Sequence, residues 1–144
     1  MKTKIISKIL LSLGLMFVFG SAITPVQDGN AAIPEQPVIT IYSTDNVIRG
    51  KTGSFVLNMK PALMLGGNYV NFSVGGTAIP GVDYAPLVSP AYIGQAGYGT
   101  ILVQTLSDRR GSSSRQAYSV LITLEPGPGY ALGIPNSATM WIKP

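Results

Sequence analysis

Carboxylates are the side chains with the clearest capacity for chemistry in this sequence, because its 144 residues include neither cysteine nor histidine. A Ser-His-Asp or Cys-His nucleophile therefore cannot form, and a zinc site lacks its usual ligands. The one enzyme design left open is a pair of carboxylates, as in glycosidases, with Asp83 and Asp108 as the candidates. We favour the simpler interpretation, in which Asp83 caps its own turn and Asp108 is a solvated loop residue. No catalytic residue is expected.

Two other features are candidates for partner binding. Arg109, Arg110 and Arg115 surround three serines in a basic loop that could meet a carboxylate or phosphate, such as that of an acidic surface polymer. The alternative interpretation is a solvated hairpin tip. Trp141 follows Met140, so if Met140 belongs to the core, Trp141 lies on the outer face. There it is either covered by the N-terminal lead-in or offered to a partner.

A glycine-rich segment, residues 75–84, reads Gly-Gly-Thr-Ala-Ile-Pro-Gly-Val-Asp-Tyr, and we call it the signature loop. Its glycines allow backbone angles closed to other residues, its proline fixes the approach to a turn, and Asp83 can accept hydrogen bonds from nearby amides. A glycine-rich loop can also bind phosphate if a helix follows it. Residues 85–90 contain two prolines and cannot begin a good helix, which excludes that function.

Gly- and Pro-rich turns separate seven short stretches that alternate between apolar and polar residues, which is typical of a two-sheet sandwich. The predicted strands are residues 38–43, 54–60, 68–74, 86–93, 99–106, 116–125 and 137–142, with residues 46–49 a candidate continuation of the first. Phe55, Leu57 and Met59 share one face of their strand, and the alternation predicts that this face is buried. No sustained helical period is present after the N-terminal segment.

The signature loop resembles the Gly-Thr-Ala, Gly, Asp-Tyr loop of Calx-beta domains. The resemblance covers most of residues 38–142: residues 69–74 are similar to the strand that enters this loop, residues 118–124 to the family's Phe-x-Val-x-Leu strand, and residues 138–142 to its closing strand. It implies an all-β, seven-stranded, two-sheet, immunoglobulin-like sandwich. It also implies that the loops carrying Asp83 and Asp108 meet at one end of the domain.

Calcium is the ligand that this resemblance implies, since binding members collect ions at that end of the domain. Asp83 and Asp108 match ligand-bearing positions, but Arg49 stands where binding members have a glutamate, and the chain ends in Ile142-Lys143-Pro144 rather than in aspartates. Calcium needs 6 to 8 oxygen ligands, several of them charged. We therefore expect no metal and no cofactor, with a weak residual calcium site at Asp83 and Asp108 as the alternative.

The N-terminal segment has the pattern of an export signal. Three lysines precede an apolar run over residues 9–22, which is shorter than the roughly 20 residues of a membrane span. Small residues predict cleavage after residue 22, 31 or 32, so that residues 1–32 are signal peptide and leader and residues 33–144 are one sandwich domain. An uncleaved N-terminal anchor is the alternative. The protein is expected to be periplasmic, at the cell surface or secreted, and bacterial.

The net charge of the chain limits the classes of partner that it can bind. The whole chain carries +4, and removal of residues 1–32 leaves seven basic and five acidic residues, or +2. This is too little for nucleic acid or an anionic membrane surface. We therefore expect an exported, non-catalytic module with a structural, adhesion or protein-interaction role, without a membrane span in the mature chain. The alternatives are a calcium-binding regulatory Calx-beta domain and a carbohydrate-active enzyme or carbohydrate-binding module.

Overall fold

The computed structural model describes residues 35–63, 66–107 and 115–144, and the regular structure within these ranges is entirely β. The strands are β1 (Val38–Ser43), β2 (Val47–Ile48), β3 (Thr52–Lys60), β4 (Asn68–Val70), β5 (Phe72–Gly75), β6 (Ala91–Ile93), β7 (Tyr98–Gln104), β8 (Tyr118–Leu124), β9 (Ala131–Leu132) and β10 (Ser137–Lys143). Across these same ranges, no helix is long and apolar enough to cross a membrane. The predicted signal segment, residues 1–32, lies outside the described residues.

The strands form two sheets. One has six strands in the order β4-β6-β7-β3-β1-β9, and the other has four in the order β2-β10-β8-β5. The long pairings β1–β3, β3–β7, β5–β8 and β8–β10 are antiparallel. The predicted all-β, two-sheet, immunoglobulin-like sandwich is therefore confirmed.

The core lies between the sheets and follows the alternation of the sequence. Phe55, Leu57 and Met59 of β3 are buried, whereas the residues between them are only partly covered. On β8, four alternate residues are likewise buried: Tyr118, Val120, Ile122 and Leu124. Each strand thus places its apolar face against the opposite sheet, where burying a large aliphatic or aromatic side chain contributes about 1.5 to 3 kcal/mol.

The number of strands differs from the prediction of seven, because two predicted strands cross from one sheet to the other and one short strand was missed. Residues 46–49 continue β1 but pair with β10 in the four-stranded sheet. The predicted strand 68–74 divides at Asn71 into β4 and β5, which belong to different sheets. The missed strand, β9, lies between the predicted strands 116–125 and 137–142 and pairs with β1.

The predicted strand 86–93 is shorter in the structure, where only Ala91–Ile93 is paired. Pro86 and Pro90 explain the difference, since a proline has no N–H to donate to a strand ladder. Val88 between them is 84% exposed.

Asn71 marks the crossing from β4 to β5, and its backbone is held there by the chain that precedes β9. The N–H of Asn71 donates to the Tyr130 hydroxyl at 3.1 Å, and that hydroxyl donates to the Glu125 carbonyl at 2.6 Å. The N–H of Glu125 in turn donates to the Asn71 carbonyl at 2.8 Å. Both backbone groups of Asn71 are therefore satisfied although it belongs to neither strand.

Candidate functional site

The signature loop leaves β5 and folds across the start of β8. Two residues hold it there: the Thr77 N–H donates to Ser119 Oγ at 3.1 Å, and the Ser119 N–H donates to Thr77 Oγ1 at 2.8 Å. The Ala78 N–H adds a bond to the Ser119 carbonyl at 2.9 Å. The loop is therefore attached to the four-stranded sheet by a reciprocal pair of hydroxyl residues, which sequence reasoning did not identify.

Asp83 lies at the base of this loop and is fully buried. Its Oδ2 accepts a hydrogen bond from the Ile79 N–H at 2.7 Å, and its own N–H donates to the Ile79 carbonyl at 2.8 Å. The predicted role of Asp83 as a cap of its own turn is thus seen directly. The Asp83 carbonyl also accepts a bond from the Leu106 N–H, which joins the loop to the chain that follows β7.

Arg49 reaches Asp83 from the turn between β2 and β3. Its Nη2 lies 3.0 Å from Asp83 Oδ1, and the Arg49 side chain is only 8% exposed. The guanidinium also stands over the Tyr118 ring, 5.3 Å from its centroid. A buried carboxylate therefore meets a buried cation on one side and a backbone amide on the other, which is how an ionised acid is tolerated inside a protein.

The other two nitrogens of this guanidinium, Nε and Nη1 of Arg49, are buried. Neither has a hydrogen-bond partner among the residues that the structure describes. Leaving buried donors unpaired is costly, so the site depends on the Asp83 contact and on the Tyr118 ring to hold the charge.

The turn that carries Arg49 is fixed by Thr105. The Thr105 hydroxyl, Oγ1, lies 2.6 Å from the Lys51 carbonyl and 3.3 Å from the Ile48 carbonyl. The Thr105 N–H donates to the same Lys51 carbonyl. On the other side, the Arg49 N–H donates to the Lys143 carbonyl at 3.0 Å. Strands from both sheets therefore position the guanidinium.

Tyr84 follows Asp83 and is 1% exposed. Burial raises the pKa of its hydroxyl above 10.0, and the neighbouring Asp83 carboxylate raises it further, because both disfavour a phenolate there. Tyr84 therefore remains neutral and contributes chiefly as a core side chain beneath the loop.

The sequence-predicted site residues are only partly brought together. Asp108, Arg109 and Arg110 lie outside the described residues, so the predicted pairing of Asp83 with Asp108 has no geometry to report. Arg115 is exposed. Among the ranges that the structure describes, no group of three or more acidic, histidine or cysteine residues is placed to hold a metal ion.

Trp141 lies on the outer face of β10, as its alternation with Met140 predicts, and is 44% exposed while Met140 is fully buried. The described part of the N-terminal lead-in follows a different path, since the Pro37 carbonyl accepts a hydrogen bond from the N–H of Ala131, the first residue of β9 in the other sheet.

The ion pair itself was not predicted. The sequence showed only that Arg49 stands where calcium-binding members of the resembled family have a glutamate. The signal that could have revealed the pair is charge complementarity: an arginine replaces the glutamate expected of a calcium-binding member, while the loop acid is retained.

Comparison with known proteins places this geometry on a known fold. No family model and no curated protein matches the sequence. Among solved structures, the chain is similar to the crystal structure of CBD12 from CALX1.2, with a TM-score of 0.57 and 14% identity over 74% of this chain and 44% of that one. It is similarly close to the calcium binding domain CBD12 of CALX1.1, with a TM-score of 0.54 and 15% identity over 72% and 43% of the two chains. The fold is that of a Calx-beta domain.

The chain spans less than half the length of each CBD12 structure that it matches. The solution structure of the CARDB domain of PF1109 from Pyrococcus furiosus aligns with a lower TM-score of 0.40, at 14% identity over 74% of this chain and 94% of that one.

Proposed function

We propose that this chain is an exported, non-catalytic β-sandwich module with a structural, adhesion or protein-interaction role at the cell envelope or outside the cell. The observation that carries the proposal is the buried ion pair between Arg49 and Asp83. In this pair, Arg49 engages the carboxylate of Asp83, the signature-loop residue that would otherwise be available as a metal ligand or as a catalytic carboxylate.

The pair argues against carbohydrate hydrolysis. Glycosidases use two carboxyl groups about 5 to 10 Å apart, and both must reach the substrate. Asp83 is fully buried, and its two oxygens are engaged by a guanidinium and a backbone amide. Such a carboxylate can neither contact a sugar nor exchange a proton with one, so it serves to hold the loop in place.

The pair also argues against calcium regulation, the function that the name of the CALX1.1 calcium binding domain suggests. A dication bound at Asp83 would lie close to the Arg49 guanidinium, since only 3.0 Å separates the two side chains. Like charges at such a distance repel strongly in a buried setting. The guanidinium takes the position of a counter-ion in this site, so the loop end is organised without a metal.

The test is titration calorimetry with calcium on protein stripped by a chelator, with magnesium as the matched control ion. We expect no saturable heat at micromolar calcium and the same melting temperature in calcium as in chelator, because a ligand that binds only the folded state must raise stability. A saturable heat that Asp83→Ala abolishes would overturn the proposal in favour of a calcium-binding regulator.

The partner proposed for this module is a protein or an acidic surface polymer. Arg109, Arg110, Arg115 and Trp141 are the proposed contact residues. The exposure of Arg115 and of Trp141 supports this assignment. Guanidinium groups recognise carboxylates and phosphates, and exposed tryptophans are frequent anchors at interfaces.

A further inference from the structure

The outer face of the six-stranded sheet carries a cluster of exposed tyrosines, which we call the tyrosine face. Its members are Tyr42, Tyr69, Tyr92 and Tyr98, which are 48%, 62%, 51% and 60% exposed. A single exposed aromatic residue on a surface is ordinary, but several on one flat face mark an interaction site. None of them belongs to the signature loop or to the Arg49–Asp83 site.

Strand pairing brings these residues into one row across the sheet. Ile93 is opposite Gly99 in an antiparallel pair, which sets Tyr92 opposite Thr100. The successive pairs across five strands are Tyr69–Tyr92, Tyr92–Thr100, Thr100–Val56 and Val56–Tyr42. At about 4.8 Å between neighbouring strands, the row is roughly 19 Å long. The row is therefore long enough to contact several consecutive monomer units of a polymeric ligand.

The row ends in tyrosines on both sides, and its middle positions are the exposed Thr100 and the half-buried Val56. Tyr69 and Tyr92 lie with ring centroids 5.2 Å apart and planes tilted by 50°, and Tyr98 is diagonal to Tyr92 on the next strand. Tyr42 stands at the far end. Between them, Thr100 is exposed and Asn58 partly exposed, with Asn58 directly opposite Tyr98. Rings at both ends can stack on a ligand while amide and hydroxyl groups form hydrogen bonds between them.

Charge on this face selects the kind of ligand. Among the outward residues of the described strands of this sheet, Lys60 at the end of β3 is the only one that is charged. A face for nucleic acid or an acidic polymer would need clustered arginine and lysine. The tyrosine face instead complements an uncharged ligand that has both apolar surface and hydroxyl groups.

The size of the face argues against a second copy of the chain. Five neighbouring strands, each contributing about three two-residue repeats along its length, give a flat area of roughly 500 Å². A stable interface buries about 800 Å² on each partner and has an apolar centre. Here the centre holds the polar side chains of Thr100 and Asn58 beside Val56 and the exposed Leu102, and a sheet-to-sheet dimer would take those polar groups out of water.

We propose that the tyrosine face binds a neutral polysaccharide. The C–H faces of pyranose rings stack on tyrosine rings, and sugar hydroxyls exchange hydrogen bonds with Asn58, Thr100 and the tyrosine hydroxyls. The inference rests on the proposed function, because it names a second class of partner for an exported interaction module, on a surface separate from Arg115 and Trp141.

The protein is purified from cells that make the full chain. The experiment measures its retention on insoluble cellulose, on chitin and in gels that contain dextran. Anionic alginate is the charged control. We expect retention on at least one neutral polysaccharide and none on alginate. The double variant Tyr92→Ala/Tyr98→Ala should weaken binding about tenfold or more, since exposed aromatic side chains carry much of the binding energy of a contact surface. Ile48→Ala, at an exposed residue of the other sheet, is the matched control, and Tyr98→Phe should retain binding because it retains the ring.

Melting temperatures of all variants separate loss of binding from loss of fold. The inference fails if none of the three neutral polysaccharides retains the protein, or if the tyrosine double variant binds as well as Ile48→Ala does. It also fails if sedimentation shows a dimer that the double variant dissociates, because the face then serves a second copy. Each of these outcomes leaves the calcium titration and the export of the chain unaffected, so failure of the proposed function is distinguishable.

Discussion

At the scale of single residues, the Arg49–Asp83 pair is the most informative contact in the molecule. Its two side chains are 8% and 0% exposed, so both charges have left water and depend on each other. A buried ion pair is weakly stabilising or neutral overall, but removing one partner leaves a buried charge without compensation. The pair therefore specifies where the signature loop sits more than it adds to stability.

We predict that Arg49→Met lowers the free energy of unfolding by about 3 to 5 kcal/mol, because the Asp83 carboxylate is then buried without its cation. Urea denaturation followed by tryptophan fluorescence measures it. Adding Asp83→Asn to Arg49→Met should recover part of this loss, since the double variant buries no lone charge. Lys51→Met, at an exposed lysine two residues away, is the control. A loss below about 1 kcal/mol for Arg49→Met would show that the pair is not essential to the site.

Tyr84 gives a pH dependence with a defined sign. Its pKa in the folded state is raised above 10.0, so the unfolded chain loses the proton first as pH rises. Its contribution to stability is therefore complete below pH 10 and is lost as pH rises through the folded-state pKa. We expect the free energy of unfolding to fall as pH rises above 10.0, and to fall less steeply in Tyr84→Phe. Tyr98→Phe, at an exposed tyrosine, should leave the slope unchanged; equal slopes for wild type and Tyr84→Phe would contradict the assignment.

At the scale of elements, the sequence predicted the long strands well because each carries its own alternation. Phe55, Leu57 and Met59 mark a buried face within a single strand, and the structure confirms them. β9 has only two residues, both of intermediate burial, and therefore offers no period to detect. The crossing at Asn71 depends on Tyr130, which lies 59 residues further along the chain. Features of this kind arise from tertiary contacts, which local patterns do not encode.

The two loop glycines that have positive φ provide a test of how the signature loop is attached. Gly76 has φ +104°, and a Cβ there would collide with the Ser119 carbonyl, whereas Gly81 has φ +81° and faces open space. Gly81→Ala should cost about 1 to 2 kcal/mol from backbone strain alone. Gly76→Ala should cost roughly 1 to 3 kcal/mol more, because the loop must move away from β8. Chemical denaturation of the two variants measures the difference, and equal losses would mean that Ser119 does not hold the loop closely.

At the scale of the whole molecule, the fold was predictable, whereas contacts that join distant parts of the chain were not. The signature loop and the seven apolar stretches were enough to predict the sandwich. The tyrosine face was not predicted, because Tyr42, Tyr69, Tyr92 and Tyr98 come from four strands and only the cross-strand register assembles them. The ion pair was missed for the same reason, since Arg49 and Asp83 are 34 residues apart.

The last prediction concerns export of the whole chain. A basic start followed by an apolar run too short to span a membrane predicts that cells remove the N-terminal segment. The mass of the protein recovered from the periplasm or medium should correspond to a chain that begins after residue 22, 31 or 32. Leu15→Arg should block export and leave the full-length chain inside the cell, because a charge in the middle of the apolar run opposes insertion by about 2.5 to 3.5 kcal/mol. Leu15→Ile retains the apolar character and should be exported normally. A full-length chain held in the membrane fraction would instead establish an uncleaved anchor, and would place the sandwich at the membrane surface rather than free in the exported compartment.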